Sequence, residues 1–309
     1  MPVKRRESRY NGVLIVNKPQ DFTSFDVVAK LRGILHERRI GHGGTLDPMA
    51  TGVLPVFVGG ATKAADMAAA QAKEYVAGFA LGHATDTQDS TGTETAHSDK
   101  RAALSDVQAA VDAMRGEQMQ LPPMYSAVKV DGKRLYDLAR KGVEVERTPR
   151  PITVHEAELL SFDEQAQAGQ LRFVCSKGTY VRTLIHDLGE GLGTYAVMTA
   201  LQRTASGRYT LEQSHTLEEI QRAADADEIE ALMLPTDSLF AAYPAVSIDD
   251  YGYERAQNGA FITPQHVTGM PMQAGTLCRV YYQGEFWMLG RVDRLDRGGL
   301  ALFYEKRFR

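Results

Sequence analysis

A glycine-rich octapeptide near the start of the chain is its most constraining feature. Residues 41–48 read Gly-His-Gly-Gly-Thr-Leu-Asp-Pro, and the apolar run 52–58 follows almost at once. Three glycines in four positions let a backbone bend sharply or approach a ligand, while Pro48 favours an extended conformation at Asp47. The pattern predicts a loop that aims a carboxylate. A hydrolase, a nucleotide-binding protein or a base-modifying enzyme could each use such a loop.

Length and patterning predict two domains. At 309 residues the chain exceeds one average domain, and from about residue 243 it changes to short strand-like runs and turns. We therefore predict a large domain over residues 1–242 and a small β-rich domain over 243–309. No run reaches the roughly twenty apolar residues of a membrane span. The basic start at residues 4–6 lacks a following apolar signal segment, so we expect a cytoplasmic protein.

Charge is distributed unevenly around a formal net charge of −4. Residues 1–40 carry nine Lys or Arg against four Asp or Glu, and residues 125–150 carry seven against four. Residues 212–231 instead hold seven acids and one base. Phosphate contact needs only a local basic surface, so the overall sign does not exclude RNA. Scattered solvated charge accounts for these numbers equally well.

Periodicity predicts strands mixed with helices. Residues 12–16 form a strand candidate, and Ser24 is expected to cap a helix with apolar residues at helical spacing. Residues 75–81 form another strand, Asp131-Gly132 predicts a tight turn, and Thr179 is expected to cap a second helix.

Asp47 and His42 are the candidate chemical groups of the octapeptide. Most loop aspartates merely cap or brace a turn, but a plain turn needs one glycine rather than three, which favours a catalytic Asp47. No second His or Cys stands at ligand spacing from His42, and Cys175 and Cys278 are far apart, so we expect neither a metal site nor a disulfide. The loop also lacks phosphate-cradle spacing, and no nucleotide cofactor is predicted.

Two further segments carry aromatic and basic groups. Tyr75 opens a strand, and Tyr180 and Arg182 open a helix after a Gly-Thr turn. Such tyrosines are more often packing residues than functional rings, and Arg182 would ordinarily be a solvated helix residue. Its position would equally suit pairing with a carboxylate. Spacing alone leaves both alternatives open.

Taken together, these segments resemble the TruB family of pseudouridine synthases along nearly the whole chain. The matching segments are Val16-Asn17-Lys18-Pro19 with Thr23-Ser24, the octapeptide with Thr51-Gly52-Val53-Leu54-Pro55, Lys73-Glu74-Tyr75, Pro122-Pro123-Met124-Tyr125-Ser126-Ala127, Gly178-Thr179-Tyr180-Val181-Arg182 and Leu201-Gln202-Arg203. Six motifs in the family's order are far more specific than any one of them. Two departures are Asn17, where many members carry Asp, and Gln20-Asp21, where small residues or glycine are usual.

The resemblance implies isomerisation of uridine 55 in the T-loop of tRNA to pseudouridine. The target base would be flipped out of the loop, and an Asp-dependent step would break and re-form its glycosidic bond without a cofactor or metal. Whether the aspartate attacks the sugar C1′ or removes a 2′ proton stays open. By carry-over the catalytic residues would be Asp47, Tyr75, Tyr180 and Arg182. The substrate-binding residues would be Lys18, His42, Leu201, Lys129 and Lys133.

The implied roles are specific. Tyr75 would stack on the extruded uracil, Tyr180 would sit by its C5 and Arg182 would pair with Asp47. Leu201 would form an apolar wall, Lys18 would support the site, and His42 would fill the space left in the loop.

The implied architecture is an α+β catalytic domain on a curved, mixed but mainly antiparallel sheet, followed by a small PUA-like RNA-binding domain. A flexible basic segment near residues 120–150, which contains Lys129 and Lys133, would grip the T-arm. The partner would be tRNA, with the protein a monomer that needs no protein partner. A tRNA-folding chaperone and a guide-RNA-dependent relative acting on ribosomal RNA remain alternatives, and the family resemblance allows chaperone activity beside catalysis.

Overall fold

A computed structural model describes residues 8–130, 132–296 and 298–308. The basic start at residues 4–6 and Asp131 of the expected turn lie outside these ranges. Within them the chain forms eighteen strands and eight α-helices. The strands are β1 (Gly12–Lys18), β2 (Ile40–His42), β3 (Thr51–Val58), β4 (Lys73–Leu81), β5 (His83–Thr85), β6 (Glu94–His97), β7 (Gly116–Gln120), β8 (Lys129–Val130), β9 (Lys133–Arg134), β10 (Arg150–Asp163), β11 (Ala168–Cys175), β12 (Ala196–Ser206), β13 (Tyr209–Thr210), β14 (Ala245–Ile248), β15 (Val267–Thr268), β16 (Leu277–Tyr282), β17 (Glu285–Arg294) and β18 (Leu300–Arg307).

The helices lie between these strands and pack on the sheets. They are α1 (Ser24–Leu35), α2 (Ala65–Ala69), α3 (Leu104–Ala113), α4 (Leu135–Ala139), α5 (Val181–Leu192), α6 (Leu217–Asp225), α7 (Ile229–Leu232) and α8 (Asp250–Gln257). None of the described helices is long and apolar enough to cross a membrane.

Nine of the strands form one mixed sheet, which confirms the predicted fold class. The order along its main path is β1-β3-β12-β4-β11-β10-β7, with β2 beside β3 and β13 beside β12. Every pairing is antiparallel except that of β3 with β12, which covers two residue pairs. That parallel contact joins Gly52 to Arg203, and Arg203 is in turn paired with Tyr75 of β4. The start of β3 therefore lies against the centre of the sheet.

Apolar side chains from helices and strands form two buried clusters on the large sheet. Helices α3 and α5 pack with β4, β10, β11 and β12, and helices α1, α6 and α7 pack with β1 and β3. Side chains of β4 are alternately buried and half-buried along its length, as a period of two requires for a strand with one face in the core. This alternation turns Tyr75 towards the core beside α5.

Two helix caps differ from the sequence-based expectation. The N-cap of α1 is Thr23, whose hydroxyl accepts from the Asp26 amide while Asp26 accepts from the Thr23 amide. Ser24 is instead the first helical residue and points inward. At α5 the N-cap is Tyr180, and the Thr179 hydroxyl donates to the Ser176 carbonyl. At each helix start the observed cap is the neighbour of the expected one, Thr23 beside Ser24 and Tyr180 beside Thr179. Sequence alone does not select between such neighbours.

A second sheet confirms the β-rich C-terminal region. The strand order of this sheet is β15-β14-β16-β17-β18. Apolar side chains of α8 pack into the buried cluster that the sheet forms. A further cluster joins this sheet to the back of the large one, with Phe240, Leu289 and Phe308 packed against Val13 and Phe57. The exact boundary at 242/243 and the PUA-like assignment stay predictions.

Candidate active site

The octapeptide begins in β2 and continues after His42 as a loop that leads to the start of β3. Gly44 has φ +119° and Gly52 has φ +100°, both in the region that favours glycine. A Cβ on Gly52 would lie 2.3 Å from the Arg203 carbonyl oxygen, whereas a Cβ on Gly41 would meet open space. The glycines therefore serve different purposes. Gly52 allows the close approach to β12, and Gly44 allows the turn in the loop, and together they place Asp47 at the edge of the buried core.

Arg203 lies beneath this loop and holds its backbone. Its side chain is 1% exposed, and its guanidinium donates to the carbonyls of Val53 at 2.6 Å and Gly44 at 3.1 Å. Backbone carbonyls of a loop need donors when they are buried, and an arginine fork supplies several in one plane. Arg203 therefore fixes the octapeptide to β12 from below.

Ser24 and Lys18 hold the loop from the side of α1. The Ser24 hydroxyl accepts from the Leu46 amide at 2.9 Å, and the Lys18 ammonium donates to the carbonyls of Pro19, Phe22 and Pro48 at 2.8, 2.5 and 3.1 Å. Burial lowers the pKa of Lys18 to about 8, an effect opposed by the carboxylates of Asp21 and Asp47. The two neighbours of Asp47 in the sequence are thus both held, Leu46 by Ser24 and Pro48 by Lys18.

The structure explains how Asp21 can stand where the family usually has glycine or a small residue. Asp21 has φ +65°, and its amide donates to the Pro48 carbonyl at 2.9 Å. Left-handed backbone favours glycine, and aspartate is among the side chains that tolerate it best. The chain therefore keeps the turn that a glycine would make at this position.

Arg182 and Asp47 form the charged pair of the site. Arg182 Nη2 lies 3.3 Å from Asp47 Oδ2, with the arginine side chain 5% exposed and the aspartate 35% exposed. The same Nη2 donates to the Tyr125 carbonyl at 2.6 Å, and Nη1 lies 3.4 Å from the Thr87 carbonyl. A buried cation with a carboxylate partner and two carbonyl acceptors is held in one orientation. The pair orients Asp47 and leaves its carboxylate open on one side.

Tyr75 and Leu201 form the apolar wall beside this pair. Tyr75 is 9% and Leu201 8% exposed, and both belong to the same buried cluster as Leu46 of the octapeptide loop. Burial is the largest cause that raises the pKa of Tyr75, while the nearby Arg203 opposes it. The ring is therefore a neutral phenol that offers an apolar face near the carboxylate.

Tyr180 stands at the start of α5 and is held by Gln120 at the end of β7. The Tyr180 amide donates to Gln120 Oε1 at 2.8 Å, and Gln120 Nε2 donates to the Tyr180 carbonyl at 3.1 Å. The Tyr180 ring lies 5.8 Å from the Arg182 guanidinium carbon. Burial raises the pKa of Tyr180. The phenol is therefore protonated near neutral pH, close to the charged pair.

His42 and the two lysines occupy the outer parts of the region. His42, in β2, is half-buried, and its ring meets Phe25 edge-on with centroids 5.7 Å apart. Burial, aided by the charge of Arg203, lowers the pKa of His42, so the ring is neutral near pH 7. Lys129 and Lys133 are exposed on the hairpin of β8 and β9, outside the buried cluster that contains Tyr75.

Sequence reasoning assigned no role to Arg203 or Gln120 and gave Ser24 only a capping role. Arg203 stood inside a recognised motif, between Gln202 and Thr204, and that motif was the available signal. Gln120 precedes the Pro122-Pro123 pair without a pattern of its own. Among the described residues no group of three or more His, Cys, Asp or Glu is arranged to hold a metal ion, and the metal-free site stays a prediction.

Family models match most of the large domain. The N-terminal domain of TruB family pseudouridylate synthases matches residues 32–181, and the C-terminal domain of tRNA pseudouridylate synthase B matches residues 182–241. The chain is 43% identical over 284 residues to a protein of Lactiplantibacillus plantarum named tRNA pseudouridine synthase B, covering 88% of this chain and 91% of that protein. A protein of Clostridium tetani with the same name is 40% identical, covering 92% and 96%.

Solved structures show the same arrangement. A chain of an H/ACA ribonucleoprotein bound to a substrate RNA superposes with a TM-score of 0.72 at 25% identity, covering 96% of this chain and 85% of that one. A chain of the archaeal Nop10-Cbf5 complex gives 0.72 at 26%, covering 99% and 89%. Family models, close relatives and structural neighbours agree, and the chain belongs to the TruB family of pseudouridylate synthases.

Proposed function

We propose that this protein converts uridine 55 in the T-loop of tRNA to pseudouridine. The observation that carries the proposal is a carboxylate, Asp47, held by the buried Arg182 at 3.3 Å and open to solvent on one side, with the buried Tyr75 in the adjoining core cluster. The curated relatives named tRNA pseudouridine synthase B support tRNA as the substrate. Every group needed is a protein side chain.

The reaction exchanges one bond to the ribose for another. The bond from C1′ to N1 of uracil breaks, the base turns, and a bond from C1′ to C5 forms; C5 then loses its proton and N1 gains one. Asp47 begins the exchange either by attacking C1′ or by removing a 2′ proton, and its pairing with Arg182 holds the carboxylate in one orientation for both routes.

The neighbouring side chains suit the handling of an extruded base. Tyr75 offers a flat face for stacking on uracil, and Leu201 closes the apolar side of the pocket. Tyr180 keeps its proton near neutral pH because burial raises its pKa. We therefore propose that its hydroxyl relays the C5 proton, accepting it while giving its own proton to solvent water. His42 enters the RNA loop as a neutral ring, and Lys18 holds the backbone of Pro48.

The first test is release of tritium from C5-labelled uridine in a T-arm hairpin. We expect turnover by the native chain and a loss of at least about 10⁴-fold in Asp47→Asn, as for removal of other essential catalytic groups. Asp112→Asn is the matched control, because Asp112 lies on α3 with its side chain 45% exposed. Equal release by native and Asp47→Asn chains would refute the role of Asp47.

The same assay tests the partners. We propose a monomer, located in the cytoplasm, that acts on tRNA without guide RNA or a second protein. Turnover of the isolated hairpin by the purified chain alone supports this, whereas turnover only with added RNA or protein contradicts it. The proposed chaperone activity predicts that Asp47→Asn still accelerates refolding of tRNA, since the exposed lysines of β8 and β9 are unchanged in that variant.

A further inference from the structure

Phe25 is an exposed aromatic side chain at the edge of the candidate active site. It is 65% exposed in the first turn of α1, and its ring lies edge-on to His42, with 5.7 Å between centroids and 88° between planes. Single exposed apolar residues are common on proteins, so exposure alone carries little weight. The contact with His42 gives Phe25 a defined place at the mouth of the Asp47 loop.

The first turn of α1 is fixed to that loop. Ser24, next to Phe25, is 1% exposed and exchanges hydrogen bonds with the Leu46 backbone at 2.9 Å and 3.4 Å. On the other side Thr23 and Asp26 cap the helix reciprocally. The backbone of Phe25 therefore keeps its position relative to Asp47, and the ring is a preformed surface.

The chemistry of such a ring identifies its ligand. Phe25 has no polar atom in its side chain, so it cannot select a base by hydrogen bonding, but its face can stack on any nucleobase. When one nucleotide leaves a loop, the base beside it loses a stacking neighbour. An aromatic ring next to the residue that enters the loop would replace that neighbour.

We propose that Phe25 stacks on a base adjacent to the extruded uridine and so contributes to RNA binding. This rests on the proposed function, because it needs an RNA loop at the Asp47 site and His42 inside it. Phe25 acts in binding and takes no part in bond breaking. Its contribution is independent of which base is stacked, which suits an enzyme that acts on many RNAs of one shape.

The experiment measures the Kd of a T-arm hairpin for full-length chains in the Asp47→Asn background, where the RNA stays unconverted. We expect Phe25→Leu and Phe25→Ala to raise Kd by about 5- to 150-fold, the range of loss of one stacked base. Phe25→Tyr should restore binding to within about twofold, since the aromatic face returns. Leu104→Ala on α3 is the control, a 47% exposed side chain that should leave Kd unchanged.

Salt dependence separates stacking from charge. The increase in Kd caused by Phe25→Leu should be the same factor between about 50 and 200 mM salt, because stacking releases no counterions. A hairpin with 2-aminopurine beside the target uridine gives a second readout, since stacking on Phe25 quenches its fluorescence and Phe25→Leu should relieve the quenching.

Three results overturn the inference while leaving the proposed function intact. The first is an equal Kd for the Phe25→Leu variant and for the chain that keeps Phe25. The second is equal quenching of 2-aminopurine by these two chains, and the third is a failure of Phe25→Tyr to restore binding. The proposed function fails separately, through absence of tritium release by the native chain. Because Phe25 is largely exposed, the variants should keep the native unfolding midpoint, which thermal unfolding verifies.

Discussion

At the scale of single residues, two buried cations held by backbone carbonyls distinguish this site. Lys18 is 0% exposed and Arg203 1% exposed, and the acceptors that hold them are backbone carbonyls of the loop and its neighbours. Burying a charged group costs free energy unless its donors form hydrogen bonds. The backbone carbonyls of the loop provide acceptors for these two cations, and the cations in turn hold the loop. The octapeptide loop therefore depends on buried side chains that hold its backbone in place.

Replacement of Arg203 tests this dependence. We expect Arg203→Met to lower the free energy of unfolding by about 1–3 kcal/mol for each carbonyl left without a donor. The loop should also lose its fixed path, which lowers the rate of tritium release. Urea unfolding and single-turnover kinetics measure the two effects.

Arg208→Met is the matched control, because Arg208 is exposed and its guanidinium donates to a single carbonyl, that of Ser238. It should change the free energy of unfolding by less than about 1 kcal/mol. Similar losses in the two variants would contradict the assignment of a special role to Arg203.

At the scale of elements, the segment between β7 and β10 contacts the charged pair and carries the hairpin that we propose to bind RNA. Its Tyr125 carbonyl accepts from the same Arg182 nitrogen that faces Asp47, and its hairpin of β8 and β9 exposes Lys129 and Lys133. The hairpin presents positive charge, while the base of the segment contacts the chemical site. We therefore propose that the two ends of this segment serve binding and catalysis separately.

Charge reversal on the hairpin separates these ends. Lys133→Glu should weaken binding of the T-arm hairpin most at low salt and reduce the slope of log Kd against log salt by about one. The rate of the bound complex should stay native, since Lys133 lies outside the buried cluster around Tyr75.

Arg222→Glu provides the control, an identical charge change at an exposed position of the acidic helix α6. Equal effects of the two variants on affinity would show that total charge, and not the hairpin, governs binding.

At the scale of the whole molecule, the cluster behind the large sheet joins the two β structures. Phe308 is 2% exposed, and its ring lies 5.2 Å from Phe240 and 5.7 Å from Phe286. The same cluster contains Val13 and Phe57 of the large sheet. Because side chains of both sheets pack in this one buried cluster, we expect the two sheets to unfold together.

Phe308→Ala should lower the free energy of unfolding by about 3–5 kcal/mol, the cost of a cavity left by a buried phenylalanine. Trp287, the single tryptophan, reports on the second sheet, and far-ultraviolet circular dichroism reports on the whole chain. In the native chain the two signals should change at the same urea concentration. Tyr304→Ala, at a 46% exposed position of β18, should cost less than about 1 kcal/mol.

Earlier loss of the Trp287 signal in the native chain would show that the small sheet unfolds alone. In that case the shared cluster would not couple the two sheets.

The sequence determined the mixture of strands and helices, the change of character near residue 243 and the family, because these depend on local period and on motifs fixed in order. It also located Asp47, since glycines and proline restrict the backbone wherever they occur. Only the tertiary structure decided that Thr23 and not Ser24 caps α1, that Gln120 holds Tyr180, and that Phe25 meets His42. Those contacts join residues whose partners are set by strand order and helix packing, and no spacing along the chain encodes the distance between them.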